Sequence, residues 1–181
     1  MRITTGKLRG RIILMPGGIR PTQDKVRKAL FDILGDIAGL SFLELFAGSG
    51  AIGFEALSRG ASEVTLVEYN RPCLLAMEKN IAALKLENCV LCPQEAERAI
   101  RRLHKECKKF DIIFLDPPYY GDTSKKTLQT LSAYDILAPN GFVVAQHFRK
   151  DRLPAENGEL ILIKEASYGD TLLSFYKKRE D

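Results

Sequence analysis

The sequence predicts an α/β protein: a mostly parallel sheet of seven strands, helices on both of its faces, and an antiparallel hairpin at its C-terminal end. Three observations carry that prediction. From residue 41 onward, short runs rich in Val, Ile, Leu and Phe alternate with segments of helical periodicity. A glycine-bearing loop, ELFAGSGAIG at 44–53, leaves the first of these runs and opens a helix. The last two runs flank Tyr168-Gly169-Asp170, a connection too short for a crossover, so its strands must be antiparallel.

The elements follow in order. Residues 2–14 alternate loosely around GKLRG and predict a β-hairpin that displays basic side chains. PGGIRP at 16–21 is rich in breakers, which divides the chain into an N-terminal extension over 1–19 and a main domain over 20–181. Thr22 can cap a helix whose apolar positions are Val26, Ala29, Leu30, Ile33, Leu34 and Ile37. A strand at 41–46, a helix at 51–59, a strand at 62–68 and a helix over about 71–86 come next, the last with Leu74, Met77, Ile81 and Leu84 on one face. CVLC then reads as a strand, followed by a helix that turns Ala96, Ala99, Ile100 and Leu103 inward. Strands at 111–115 and 141–147 enclose a helix near 124–134, and strands at 159–167 and 171–178 close the chain. In sheets of this kind ligands bind at the carboxyl ends of the strands.

The 181 residues suffice for one domain with a substantial core, and 45% hydrophobic with 28% charged residues is ordinary globular composition. No apolar run approaches a membrane span, and MRITTGKLRG lacks the apolar stretch of a signal peptide, so a soluble cytoplasmic protein is expected. The net charge of +4 is unevenly spread. Residues 1–28 hold Arg2, Lys7, Arg9, Arg11, Arg20, Lys25, Arg27 and Lys28 against Asp24 alone, a net +7 that leaves −3 for the rest. A basic segment on an acidic body fits a polyanionic partner such as nucleic acid. Cys89 and Cys92, with His104 and Cys107, make four candidate zinc ligands. Cys89 and Cys92 are three apart on a strand, so they point to opposite faces, and reduced structural thiols are the expectation instead.

The loop at 44–53 contains Gly48-x-Gly50-x-x-Gly53, with Glu68 closing the second strand. That pattern fits a dinucleotide or an adenosyl cofactor: glycines admit close backbone approach, and an acid at the next strand end accepts hydrogen bonds from ribose hydroxyls. Glu44 favours the second. A carboxylate just before the loop would repel a pyrophosphate, but it suits S-adenosylmethionine, which carries a sulfonium and an ammonium and no phosphate. An NAD-dependent oxidoreductase stays open as the alternative at this point.

The second unusual stretch is FLDPPYY at 114–120. An exocyclic amine of a nucleobase is a poor nucleophile because its lone pair is conjugated into the ring. Two acceptors aimed at its hydrogens favour pyramidal, attack-ready geometry. Asp116 and the Pro117 carbonyl can be that pair, Pro117 and Pro118 stiffen the backbone, and Tyr119 offers a face on which the base can stack. The acceptor base would be unpaired or flipped out, and transfer would be an in-line displacement governed by positioning.

Taken together, ELFAGSGAIGFEALSRGA (44–61), VEYN (67–70), FLDPPY (114–119), GKLRGRIIL, RPTQDKVRKALFDIL (20–34) and the terminal YGDT resemble the RsmD family, the bacterial 16S ribosomal RNA guanine-N(2)-methyltransferases. The resemblance spans nearly the whole chain. It implies a Rossmann-like class I methyltransferase fold, S-adenosylmethionine as donor with S-adenosylhomocysteine as product, no metal, and a guanine of small-subunit rRNA in an assembling particle as substrate. By match, Gly48, Ser49 and Gly50 line the methionine part of the cofactor and Glu68 binds ribose, with Glu44, Phe46, Ala47 and Tyr69 completing the set. Glu95, where the family has an aspartate, and Ala96 lie near adenine. Arg20 and Thr22 match the segment that closes over the site, Arg20 also counting towards RNA contact, while Lys7, Arg9 and Arg11 grip RNA phosphate. Gln146 stands where the family has a glutamate after the fifth strand, and His147 reads as structural. The chain is expected to act as a monomer. The rival readings are an adenine-N(6) methyltransferase on DNA or RNA and a non-catalytic RNA-binding assembly factor.

Overall fold

A computed structural model describes residues 1–17, 24–118 and 122–179. The chain divides into two compact units, Met1–Glu95 and Ala96–Asp181.

The first unit contains α1 (Asp24–Leu34), β1 (Ser41–Leu45), α2 (Ala51–Ser58), β2 (Glu63–Glu68), α3 (Arg71–Leu84) and β3 (Cys89–Pro93). Its strands are parallel in the order β3-β2-β1, in register at Leu43↔Thr65 and Leu66↔Leu91. Phe42, Leu43, Leu45, Val64, Leu66 and Val67 are buried, the near-continuous apolar pattern of strands covered on both faces. Every residue of α2 is buried, Glu55 and Ser58 included, so those two polar side chains require partners.

Helix α1 stops at Leu34 because Gly35 takes φ +73° and donates its N–H to Phe31, a left-handed terminus. Ile37, expected on that helix, lies beyond it yet is buried. The buried face is Val26, Arg27, Leu30 and Phe31, one position round from the expected stripe. Thr22, the expected cap, falls outside the described residues. In α3, Met77 and Leu84 are buried as expected, while Leu74 and Ile81 are only half-buried and Cys73, Ala76 and Asn80 fill the core-facing positions. Near the N-terminus an antiparallel bridge, Arg2↔Ile12, closes a turn over residues 5–10, supported by Gly10 N–H donating to Ile3 and Ile13 N–H donating to Met1.

The second unit contains α4 (Ala96–Lys105), β4 (Phe110–Leu115), α5 (Thr123–Ala133), β5 (Leu137–Phe148), β6 (Glu156–Asn157), β7 (Leu160–Tyr168) and β8 (Thr171–Lys178). The order is β4-β5-β8-β7-β6; β4 and β5 are parallel and the remaining pairs antiparallel. Ala96, Ala99, Ile100 and Leu103 of α4 are all buried, as their spacing predicts. The expected count of seven strands becomes eight among the described residues, because the two-residue β6 pairs with the start of β7. Strand β5 also begins at Leu137 rather than 141. Its register against β4 shifts between Phe110 and Ile112, an irregularity that accommodates Pro139 and Gly141 inside a strand. No helix of the described residues is long and apolar enough to cross a membrane.

Candidate active site

In the first unit β1 delivers the chain into a tight loop. Phe46 adopts φ +61°, an uncommon conformation for a bulky residue, and Gly48 and Gly50 follow at +55° and +73°. The Ala47 N–H donates to Val67 on β2 and the Gly50 N–H to Ala47, which folds the loop back over the sheet end. Two carboxylates hold it there. Glu68 accepts at Oε2 from the Gly48 N–H at 2.9 Å, and at Oε1 from the N–H groups of Tyr69 and Asn70 at 2.8 and 2.9 Å. Glu44 accepts from the Gly53 N–H at 2.8 Å. Gly50 precedes α2 with no side chain to cap it, so Glu44 serves as that helix's cap from the neighbouring strand, favoured by the helix dipole. Both carboxylates are buried, Glu44 at 3% and Glu68 at 8% exposure.

The donor chemistry suits an adenosyl cofactor. A carboxylate offers about four acceptor positions, and the backbone uses three of those on Glu68, leaving one for a ribose hydroxyl. Residues 44–50 are buried or half-buried and contain one acid and no cation, a setting for a positively charged methyl donor. Gly53 has a different task. A Cβ there would lie 2.4 Å from Leu66 Cδ2 and 2.8 Å from Val64 Cγ1, so the third glycine of the motif brings α2 against the sheet. Ser49 is buried, Tyr69 is 64% exposed, and Glu95 is exposed at the end of the first unit, beside the buried Ala96.

In the second unit the site lies where β4 ends. Leu115 pairs in register with Ala145 of β5, so the next residues along, Asp116 and Gln146, come together. Gln146 Nε2 donates to Asp116 Oδ2 at 2.9 Å. Asp116 is half-buried, Pro117 buried and Pro118 exposed. His147 faces elsewhere: its Nε2 lies 2.8 Å from Ser174 Oγ, which donates to Glu165 at 3.0 Å. Burial pulls the His147 pKa down from its ordinary value, with the Phe148 carbonyl, Glu165 and Asp151 acting in the opposite direction. Tyr119, Arg20 and Thr22 fall outside the described residues.

The basic arm is anchored by its backbone. Glu55, fully buried, accepts from the Thr4 N–H at 2.8 Å, from Thr4 Oγ1 at 2.7 Å and from the Thr5 N–H at 3.0 Å, and pairs with Arg59 at 3.1 Å and Arg27 at 3.7 Å. Ser58 takes the Leu8 N–H and donates to the Thr5 carbonyl. Asn80 clasps Leu14 through both its N–H and its C=O. Lys7, Arg9 and Arg11 remain exposed. Arg27, counted among the basic residues of the N-terminal stretch, is corrected: it is fully buried and paired with Asp24 and Glu55, and contributes no surface charge. Sequence reasoning missed Glu55, Ser58 and Asn80, whose one signal is a polar residue at a core-facing helical position.

Two of the four cysteines are held as thiols. Burial, with Glu44 adding to it, pushes the Cys89 thiol up to about 12, and burial with Glu68 pushes Cys73 up to about 11. Among the described residues no group of three or more His, Cys, Asp or Glu could hold a metal ion.

The family described as conserved hypothetical protein 95, the RsmD family, matches residues 1–177. The chain belongs to this family. YlbH of Bacillus subtilis is 37% identical over 99% of this chain and all of its own length. The protein of Escherichia coli K12 named ribosomal RNA small subunit methyltransferase D is 33% identical over 98% of this chain and 90% of its own. The solved structure of yhhF from Escherichia coli matches with a TM-score of 0.86 at 32% identity, covering 98% of this chain and 97% of that one. The RsmD-family chain therefore has the Rossmann-like α/β fold that its sequence predicts, and is an S-adenosylmethionine-dependent methyltransferase.

Proposed function

We propose that this RsmD-family protein methylates the exocyclic N2 amine of a guanine in small-subunit (16S) ribosomal RNA. The observation that carries the reading is the end of β4, where an acid held by Gln146 is followed at once by two prolines. The family membership directs it to ribosomal RNA, since the E. coli relative is named for the small subunit.

In the proposed reaction Gly48, Ser49 and Gly50 pack against the methionine part of the cofactor, Glu68 takes a ribose hydroxyl, and Glu95 and Ala96 border the adenine. When bound, the cofactor supplies an electrophilic methyl group on sulfur. Asp116 and the Pro117 carbonyl accept the two amine hydrogens of the target base, which rehybridises its nitrogen towards attack. Pro118 keeps the carbonyl from turning away, and Tyr119 stacks on the base. Asp116 acts as hydrogen-bond acceptor throughout; the N–C bond forms as the donor's S–CH3 bond would break, its electron pair returning to sulfur, and the cationic amine then loses its proton to solvent. Residues 1–19 serve as an RNA-gripping extension of the domain over 20–181, with Lys7, Arg9 and Arg11 on phosphates; Arg20 and Thr22 close over the site. The protein works as a monomer on the particle, in the cytoplasm.

The test offers labelled S-adenosylmethionine and undermethylated small subunits to the protein, then digests the RNA to nucleosides. Label in N(2)-methylguanosine supports the reading. Label in N(6)-methyladenosine overturns the base assignment and leaves the amine chemistry standing. Binding to the particle without label, at saturating cofactor, identifies an assembly factor instead.

A further inference from the structure

Resting on the guanine-N2 reading, we propose that Gln146 is the residue that tells the target guanine from other amine-bearing bases, by accepting a hydrogen bond from its ring N1–H.

Gln146 is 3% exposed, and its Oε1 is buried with no hydrogen-bond partner among the described residues. Such orphans are uncommon in folded proteins and call for an explanation. The orientation of the amide is fixed by its neighbour. An ionised carboxylate only accepts, so the NH2 must face Asp116 Oδ2, where it sits at 2.9 Å, and Oε1 must face away from that oxygen. Covalent geometry keeps the two ends of the amide about 2.3 Å apart, so the orphan acceptor stays next to the carboxylate that receives the amine.

In the proposed complex Asp116, the Pro117 carbonyl and Gln146 Oε1 serve as three acceptors side by side, the first and last linked through the Gln146 amide. Guanine presents two N2 hydrogens and, on the adjacent ring atom, the N1 hydrogen, three donors in sequence. Adenine presents an amine beside an unprotonated N1, which would set a lone pair against Oε1. A flipped base is read by its Watson–Crick edge, and a site built of acceptors rejects an edge that lacks the matching donor. Gln146 thus does two things with one amide: Nε2 holds the Asp116 carboxylate in place, and Oε1 reads the base. A glutamate here would supply an acceptor but no donor to hold Asp116, and would set two acids side by side.

The test uses 2-aminopurine, which keeps the amine of guanine but has no N1 hydrogen. Small subunits carrying either base at the mapped target position are offered to wild-type protein, Gln146→Leu and Gln146→Met, and kcat/KM is compared. Intrinsic differences between the bases cancel in the ratio of ratios, which isolates the contact. The wild type should favour guanine, and both variants should reduce that preference roughly tenfold or more, with unchanged affinity for S-adenosylhomocysteine as the folding control. Should a variant transfer too slowly to follow, equilibrium binding of the two particles with S-adenosylhomocysteine present gives the same comparison. Equal preference in wild type and variants, with guanine transfer intact, overturns the proposal while sparing the function. Absence of guanine methylation by the wild type removes the functional reading itself, and this inference with it.

Discussion

Replacing Glu68 by Gln removes one oxygen acceptor and a charge and leaves the shape of the side chain unchanged. In the folded protein Glu68 accepts three backbone N–H bonds, from Gly48, Tyr69 and Asn70. The amide oxygen of Gln can keep the Tyr69 and Asn70 pair, but its NH2 then faces the Gly48 N–H, donor against donor. Leaving that N–H unmet costs about 1–3 kcal/mol. For a chain of this size such a loss lowers the melting temperature by roughly 3–10 °C. The loop over 46–50 loses its tie to β2, so cofactor binding must reorder it. At about 1.4 kcal/mol per decade, affinity for S-adenosylhomocysteine falls tenfold or more. Calorimetric titration and a thermal melt on the same samples provide the check. A variant that binds within twofold of wild type and melts at the same temperature refutes the claim that this carboxylate organises the loop.

The other expectations are as concrete. Asp116→Ala should abolish methyl transfer and leave cofactor affinity within a few-fold; a large loss of affinity would remove Asp116 from the acceptor role. Neutralising Lys7, Arg9 and Arg11 together should flatten the salt dependence of RNA binding by about one unit of slope per cation, with cofactor binding unchanged, and an unaltered slope puts the RNA surface elsewhere. Gly53→Ala gains up to ~1 kcal/mol of helix propensity but forces a methyl to within 2.4 Å of Leu66, overpacking that costs about 1–3 kcal/mol, so the melting temperature should fall; a rise would show slack between α2 and the sheet. His147 has its pKa held below the usual value, so the unfolded chain binds the proton more readily. Its full contribution to stability is present above the ordinary histidine pKa and drains away as pH falls through the lowered one. Melting followed from pH 7 downward should show that loss, and His147→Gln should reduce it.

Much of this architecture is legible in the sequence because it is local. Ala96, Ala99, Ile100 and Leu103 repeat at helical spacing and are buried together. Glycines mark the loop after β1, and Tyr168-Gly169-Asp170 marks the closing hairpin. The misses come from contacts between distant segments. Nothing near Glu55 announces that Thr4 and Thr5 will meet it, fifty residues away. A separation of 66 residues likewise hides Asn80 from Leu14, and a shorter one makes Arg27 look like surface charge rather than a buried partner of Glu55. The strand expected from Gly141 starts four residues earlier and runs through Pro139, and Gly141 has no Cβ to collide with the Asp111 carbonyl, 2.8 Å from where one would be. Gln146 was visible as a departure from its family; its partner became visible only through the register of β4 against β5.

Helix α2 ties together two things that the sequence presents as separate. Its first turn receives the loop held by Glu44, and its far end, through Glu55 and Ser58, holds residues 4–8. The arm is therefore no detachable handle. Trimming it to isolate a catalytic remnant would strip the Glu55–Arg27 pair of its backbone donors and acceptor, at about 1–3 kcal/mol for each group left unmet, against total stabilities of about 5–15 kcal/mol. Grafting the arm of one relative onto the body of another should succeed only when Arg27, Glu55, Ser58 and Asn80 travel with it, so the arm and these four side chains are inherited as one piece.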